Sequence, residues 1–445
     1  MGFFDWIFGD KQTKNVVTAP PVRFGRYSDA FKAPENYEAW EQALVAYEQE
    51  KYLEAYQYFF VYLRDKKEEN VRVWEEGTAL AFELIQGSQR ITGEIDAKKV
   101  KIIAKIAKSD DLHVGFMRRL IAQNYLLEYS RYALDEDNNV VLMFDGQTLD
   151  SSPYKLYYAF KEVATQADKQ DDLLLDEFQM LKPIDLSLRH PLSDGISELK
   201  YNYITTEIKS VFDFLEKNKL EVEKDPGIST YMLLDLVYRL DYLTVPEGLI
   251  MELFEQAHTK HFLKDTRTLQ QRNDDLRKVL QRVAERPKEL LVQEFYGVKC
   301  TFGVSAAVNH DKVVPLIDSN IARIDWYLDK GMDQAAIAVA DFIAGSLLFE
   351  FSLYRADKEF LNLLFNITQY EYFKNLGFTQ VFFTRQGDLD KKTIVKTIKN
   401  IAESHQKDFP LLVPAVNTLD FLDVPSFAKS YLMLVRNLDF TKKEV

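Results

Sequence analysis

Apolar positions in this chain begin to recur at Glu35. Trp40, Ala43 and Tyr47 fall three and four apart, and Tyr52, Ala55, Phe59 and Leu63 repeat the interval, so residues 35–64 are predicted to form amphipathic helices. Tyr47, Tyr52, Ala55 and Phe59 are arranged much as in one tetratricopeptide unit of a helical repeat, and a single unit needs neighbours to bury its face. Across residues 71–107 the period changes to two. Leu80, Phe82 and Leu84 alternate, Gln86-Gly87-Ser88 turns the chain, and Ile91, Gly93 and Ile95 resume the alternation. Val100, Ile102, Ala104 and Ile106 then alternate with lysines. This predicts a three-stranded antiparallel meander with one wet face.

Ser109-Asp110-Asp111 offers an N-cap to a helix carrying Met117, Leu120, Ile121 and Leu127. Residues 129–134 and 140–144 flank the turn formers Asp135-Glu136-Asp137-Asn138-Asn139, which predicts a hairpin. Ser152 as N-cap and Pro153 at the first helical position open a long helix through Leu156, Phe160, Val163 and Ala167 towards Phe178. Pro183, Pro191 and Gly195 mark a break, after which the pattern is helical almost to the end. Its stripes are Ile204-Ile208-Val211-Leu215, Leu233-Leu236-Leu240-Leu243, Ile250-Phe254-Ala257 and Leu269-Leu276-Leu280-Val283, with residues 290–308 the least regular. Helices are expected near Asp318, Asp333, Asp357 and Asp388, since an aspartate at a helix start meets unpaired amides.

The fold class expected is therefore α+β: an α-βββ-α-ββ-α domain followed by an all-α helical array. Residues 1–35 read as an apolar N-terminal segment and linker, 36–184 as the α+β domain and 196–445 as the helical domain.

The element order across residues 35–181 resembles the bacterial YbjN and type III secretion chaperone-like fold. The segment Tyr129-Ser130-Arg131-Tyr132-Ala133-Leu134-Asp135-Glu136-Asp137-Asn138-Asn139-Val140-Val141-Leu142 looks like that family's second β pair, and the helix after Pro153, with Ala167-Asp168 near its middle, like its final helix. The resemblance implies a non-enzymatic role in binding another protein, with dimers in the chaperone branch and a partner segment held extended.

Composition narrows the partners. Among 445 residues, 56 Lys and Arg against 69 Asp and Glu give a net charge of −13, a field that repels phosphate backbones and argues against nucleic acid. Cys300 is the single cysteine, which suits a reducing compartment. Residues 1–8 have neither the basic start nor the length of a signal peptide, and the apolar run 335–349 is short of the roughly 20 residues a membrane span needs. A cytoplasmic location is expected, or a peripheral one at the inner membrane surface.

Candidate chemistry is sparse. Gly-x-Gly-x-x-Gly, the Walker pattern and Gly-x-Ser-x-Gly are absent, and Gly77, Gly87 and Gly93 are spaced as turn and strand glycines. No enzyme activity, catalytic residue, cofactor or metal is expected. His258 and His261 could share a metal but lack flanking ligands, and His261 continues an apolar stripe. Cys300 beside Lys299 has no nearby base except His310. Glu75-Glu76, Asp110-Asp111 and Asp171-Asp172 read as solvated pairs. Asp341 interrupts an apolar run and needs a polar neighbour, and Ala336, Ala340 and Ala344 make a seam for close helix packing.

The candidate contact residues are Phe3, Phe4, Trp6, Ile7 and Phe8, five large apolar groups within six positions. The function expected is a protein-binding module that recognises a segment of an unidentified protein partner, chaperone-like in its first half. The alternative is a structural or assembly scaffold held at the membrane surface by this N-terminal cluster. Docking onto this or another protein is favoured, because Asp5 and the scarcity of flanking cations weaken the membrane reading.

Overall fold

The computed structural model describes residue 20, residues 22–109 and residues 114–442. The chain divides into two compact units. One comprises Tyr27–Leu192 and Tyr296–Val304; the other comprises the stretch ending at Arg26, Ser193–Phe295 and the chain from Ser305 onward.

The first unit is α+β. Helices α1 (Pro34–Glu48) and α2 (Tyr52–Leu63) form a hairpin that turns at Glu50, where φ is 58°. Strands β1 (Val71–Glu76), β2 (Ala79–Gln86), β3 (Gln89–Ile95) and β4 (Lys99–Ser109) follow, then helix α3 (Val114–Asn124). Next come β5 (Arg131–Leu134), β6 (Asn139–Gln147), helix α4 (Pro153–Glu177), β7 (Leu181–Pro183) and β8 (His190–Pro191). The late segment adds β9 (Tyr296–Gly297), which pairs with β8. The main sheet runs β1-β2-β3-β4-β6-β5, with β7 also on β4, and every pairing is antiparallel.

The meander thus has four strands, not the expected three. In β1 only Val71 is buried, while Trp74, Glu75 and Glu76 are exposed. A charged edge strand blunts further pairing and shows little alternation in sequence. The single wet face expected of the meander holds in β4, whose lysines are exposed between buried Val100, Ile102, Ala104 and Ile106. It does not hold in β2, where Ala81 and Ile85 are buried as well as Phe82 and Leu84.

The core of this unit is an aromatic knot. Phe160 of α4 lies with ring centroids 5.6 Å from Phe59, 5.7 Å from Phe60 and 5.0 Å from Phe82. Helix α4 starts as its sequence predicts: Pro153 occupies the first turn, and the Ser152 hydroxyl accepts from the Lys155 N–H at 3.3 Å. In the β5–β6 turn the Asp135 carboxylate accepts from the N–H of Asp137 and of Asn139, while Asn138 takes φ 61°. The N-cap expected from Ser109-Asp110-Asp111 falls partly outside the described residues, and Leu127 lies beyond the end of α3.

The second unit contains α5 (Asp194–Lys217), α6 (Lys219–Lys224), α7 (Gly227–Thr244), α8 (Gly248–Phe262), α9 (Leu269–Ala284) and α10 (Lys288–Val292). After β10 (Ala306–Ala307) come α11 (Val313–Asn320), α12 (Ala322–Leu328), α13 (Asp333–Glu350) and β11 (Phe351–Ser352), which pairs in parallel with β10. The unit ends with α14 (Arg355–Thr368), α15 (Tyr370–Asn375), α16 (Lys391–His405) and α17 (Val424–Arg436). Helices α7 and α13 pack together at its centre. Ala336, Ala340 and Ala344 are fully buried, and a Cβ added at Gly345 would stand 2.8 Å from the Tyr238 Cβ. Small residues allow that approach. Asp333 opens α13 and Asp357 lies in the first turn of α14. Asp318 instead sits towards the end of α11, and Asp390, not Asp388, caps α16 by accepting from the Thr393 N–H.

Candidate functional site

Helix α5 buries Ile204, Ile208, Val211 and Leu215, so its opposite side is left for other work. Glu198, Leu199, Asn202, Tyr203, Thr206 and Glu207, at the three-and-four spacing of one helix face, form one wall of an open groove of about 1260 Å³. Ile337 of α13, the end of α14, α15 and residues 381–387 complete it. Tyr203, Tyr370, Phe383 and Val381 contribute aromatic and aliphatic surface, and Val381 is 51% exposed. A smaller hollow continues along α5 past Thr206 to Asn218.

The groove is braced by a buried polar network. Arg239 of α7 donates to Asp235 through Nε and Nη2, and through Nη1 to Glu207 at 2.7 Å, to the Tyr203 hydroxyl at 2.9 Å and to Gln369 at 2.9 Å. Gln369 also accepts from the Tyr203 hydroxyl and donates to Asp341 at 2.7 Å, while Thr368 donates to the same carboxylate at 2.8 Å. Burial pushes the Asp341 carboxyl up against the pull of Arg239, and burial raises Asp235 as well, with Asp341 adding to it. With its donors directed to Asp235, Glu207, Tyr203 and Gln369, Arg239 acts as a brace rather than an anion receptor. Asp341 thus has the polar neighbours its sequence position required. The sequence reading missed the groove wall and Arg239. The signal was an Asp-x-x-x-Arg pair at positions 235 and 239 inside an otherwise apolar helix.

Two further polar clusters lie elsewhere in the units. In the α+β unit, the Ser88 hydroxyl bonds Asp168 at 3.3 Å and Asp171 at 2.7 Å, and Gln89 and Arg189 also donate to Asp171. Asp171 is 2% exposed and Tyr296 donates to Asp172, so this pair is not solvated as expected: the β2–β3 turn and the segment after α4 close over it. Burial raises the Asp168 carboxyl, and Asp171 raises it further. Glu75 and Glu76 are exposed, as expected, and Asp110-Asp111 lies outside the described residues. In the helical unit, His310 pairs with Asp357 at 2.7 Å and His405 with Glu359 at 2.9 Å, both buried.

The remaining sequence candidates fall as follows. The His258 ring nitrogen Nδ1 bonds the Tyr238 hydroxyl at 2.8 Å. His261 is buried on the inner side of α8, and desolvation, with Arg272 and His258 adding, lowers its pKa to about 4. Among the described residues no group of three His, Cys, Asp or Glu side chains is placed to hold a metal ion. Cys300 is buried in the α+β unit. Phe3, Phe4, Trp6, Ile7 and Phe8 lie outside the described residues.

Among the described residues of the α+β unit, Val114, Ile121, Tyr125 and Leu126 form an exposed apolar stripe on and just after α3. Among the described residues no helix is long and apolar enough to cross a membrane. Compared with known proteins, the chain matches no family model and no curated protein.

Proposed function

We propose that this chain is a protein-recognition module that takes a segment of a protein partner into the groove along α5. The carrying observation is the groove itself. At about 1260 Å³ and open to solvent, it exceeds the roughly 300–1,000 Å³ of an ordinary small-molecule pocket. Its wall alternates aromatic or aliphatic groups with hydrogen-bonding ones, the mixture that accepts side chains of an extended or helical segment. The Arg239 network supports the same reading, because it holds Tyr203 and Glu207 in place before a partner arrives. The element order across residues 35–181, which resembles that of secretion chaperone-like proteins, fits the same class of partner.

The test is selection from a displayed peptide library on the chain, with and without residues 2–8. Selected peptides are expected to lose at least tenfold in affinity on Val381→Asp, a change at an exposed position that leaves the melting temperature intact. Binders insensitive to Val381→Asp and to Arg385→Glu place recognition elsewhere and overturn the proposal.

A further inference from the structure

Strand β1 ends the main sheet of the α+β unit: β2 pairs with one side of it, and among the described residues no strand pairs with the other. It is also the strand added to the three expected of the meander. The Ile85 N–H donates to the Asn70 carbonyl at 2.9 Å, and the register that continues from this pair sets Arg72 opposite Glu83, Trp74 opposite Ala81 and Glu76 opposite Ala79. Hydrogen-bonded and non-hydrogen-bonded pairs alternate along an antiparallel ladder. Arg72, Trp74 and Glu76 therefore turn their backbone groups towards β2, while Val73 and Glu75 turn theirs to the open edge. Side chains alternate as well. Val73 packs against the core, and Arg72, Trp74 and Glu76 share the outer face, all exposed, Trp74 by 48%.

We infer that β1 is a dimerisation edge, to which a second copy of this chain adds its own β1, antiparallel and related by a two-fold axis at Trp74. One register satisfies backbone and charge together. With Trp74 opposite Trp74 of the second copy, Val73 falls opposite Glu75, and the two exchange the backbone bonds that both direct outward. Arg72 then falls opposite Glu76, and the two-fold axis repeats that pair, so the sequence Arg-x-Trp-x-Glu complements itself. These are the non-hydrogen-bonded positions, where side chains stand closest, and the two indoles meet between two ion pairs. Arg72 is available for this. Its side chain is 73% exposed and lies 3.9 Å from Glu83, a carboxylate already paired with Arg90. Moving one copy by two residues sets Glu75 against Glu75 in one direction, and in the other carries Glu76 past Arg72 to Asn70. The charges of β1 thus blunt pairing with an arbitrary strand and admit a second copy in this register.

Sedimentation velocity of the intact chain at rising concentration is expected to show a monomer–dimer equilibrium. Arg72→Glu and Glu76→Arg are each expected to weaken self-association at least tenfold, since either change turns both ion pairs into repulsions. Both positions are exposed, so the melting temperature stays as it was. Mixed in equal amounts, the two variants are expected to restore the dimer, because each carries the charges that the other lacks. An intact chain that stays monomeric at every concentration overturns the inference and leaves the edge to a strand of another protein. A dimer that survives both single variants, or a mixture that associates no better than its components, overturns it as well.

Discussion

The side-chain amide of Gln86 pairs with the backbone of Phe302 in both directions: its Oε1 accepts the Phe302 N–H at 2.9 Å, and its Nε2 donates to the Phe302 carbonyl at 3.3 Å. Around this pair the Thr301 N–H also reaches Gln86 Oε1, the Thr301 hydroxyl donates to the Ile85 carbonyl, and Asn70 donates to that hydroxyl. Residues 296–304 thereby belong to the α+β unit, although more than a hundred residues of helical sequence precede them.

Phe302 is 1% exposed and sits in the core of that unit, its ring 5.5 Å from Tyr157. Phe302→Ala is expected to destabilise it by about 3–5 kcal/mol, and Gln86→Ala by about 1–3 kcal/mol through the orphaned backbone groups. A fragment of residues 27–192, which lacks this segment, is expected to unfold at lower urea than the same unit in the intact chain. Equal midpoints, followed by circular dichroism, would show that the segment is dispensable.

Gly87 and Gly77 both turn with positive φ, yet substitution should separate them. A Cβ at Gly77 meets nothing within 4 Å, whereas one at Gly87 would fall 1.8 Å from the Asp168 Oδ1. Gly77→Ala is expected to cost about 1 kcal/mol, the left-handed backbone penalty alone. Gly87→Ala should cost more than about 3 kcal/mol, since it must also displace the carboxylate that caps the Ser88 N–H. Urea titration of both variants checks the difference.

Arg239→Met leaves Asp235, Asp341 and Glu207 facing one another without their cation. A loss of about 3–5 kcal/mol is expected near neutral pH. Burial already raises Asp235 and Asp341 above the usual carboxylate range. Groups so raised favour folding below their unfolded pKa and lose that contribution as pH rises through the folded value. The deficit of the variant should therefore shrink on acidification towards pH 5 and widen towards pH 8. A deficit constant across that range would count against charge as the cause.

His261 gives the opposite pH sign. Its folded pKa of about 4 lies below the ordinary value of 6.5, so between those limits the unfolded chain binds the proton and the folded chain does not. Stability is expected to fall as pH drops from about 6.5 to 4, by on the order of 2 kcal/mol after allowance for solvent screening. His261→Phe should remove this part of the acid sensitivity. Melting curves of both proteins from pH 7 to pH 4 measure it.

Local periodicity was enough to set the α+β class, the long helix opened by Ser152 and Pro153, the Asp135 turn and the buried stripes of α5, α7 and α8. These depend on neighbours three or four positions away, or two in a strand, and such spacings are written directly in the chain. The polar neighbour of Asp341 was foreseeable too, because a carboxylate in an apolar run must be satisfied. What folding alone settled were relations between distant positions. Strand β1 exists because β2 offers it an edge, its own charges having masked the alternation. Asp171 is buried because Ser88, Gln89 and Arg189 converge on it from different segments. The groove arises where α5, α13 and α15 fail to meet, and no single stretch of sequence records a gap between three helices.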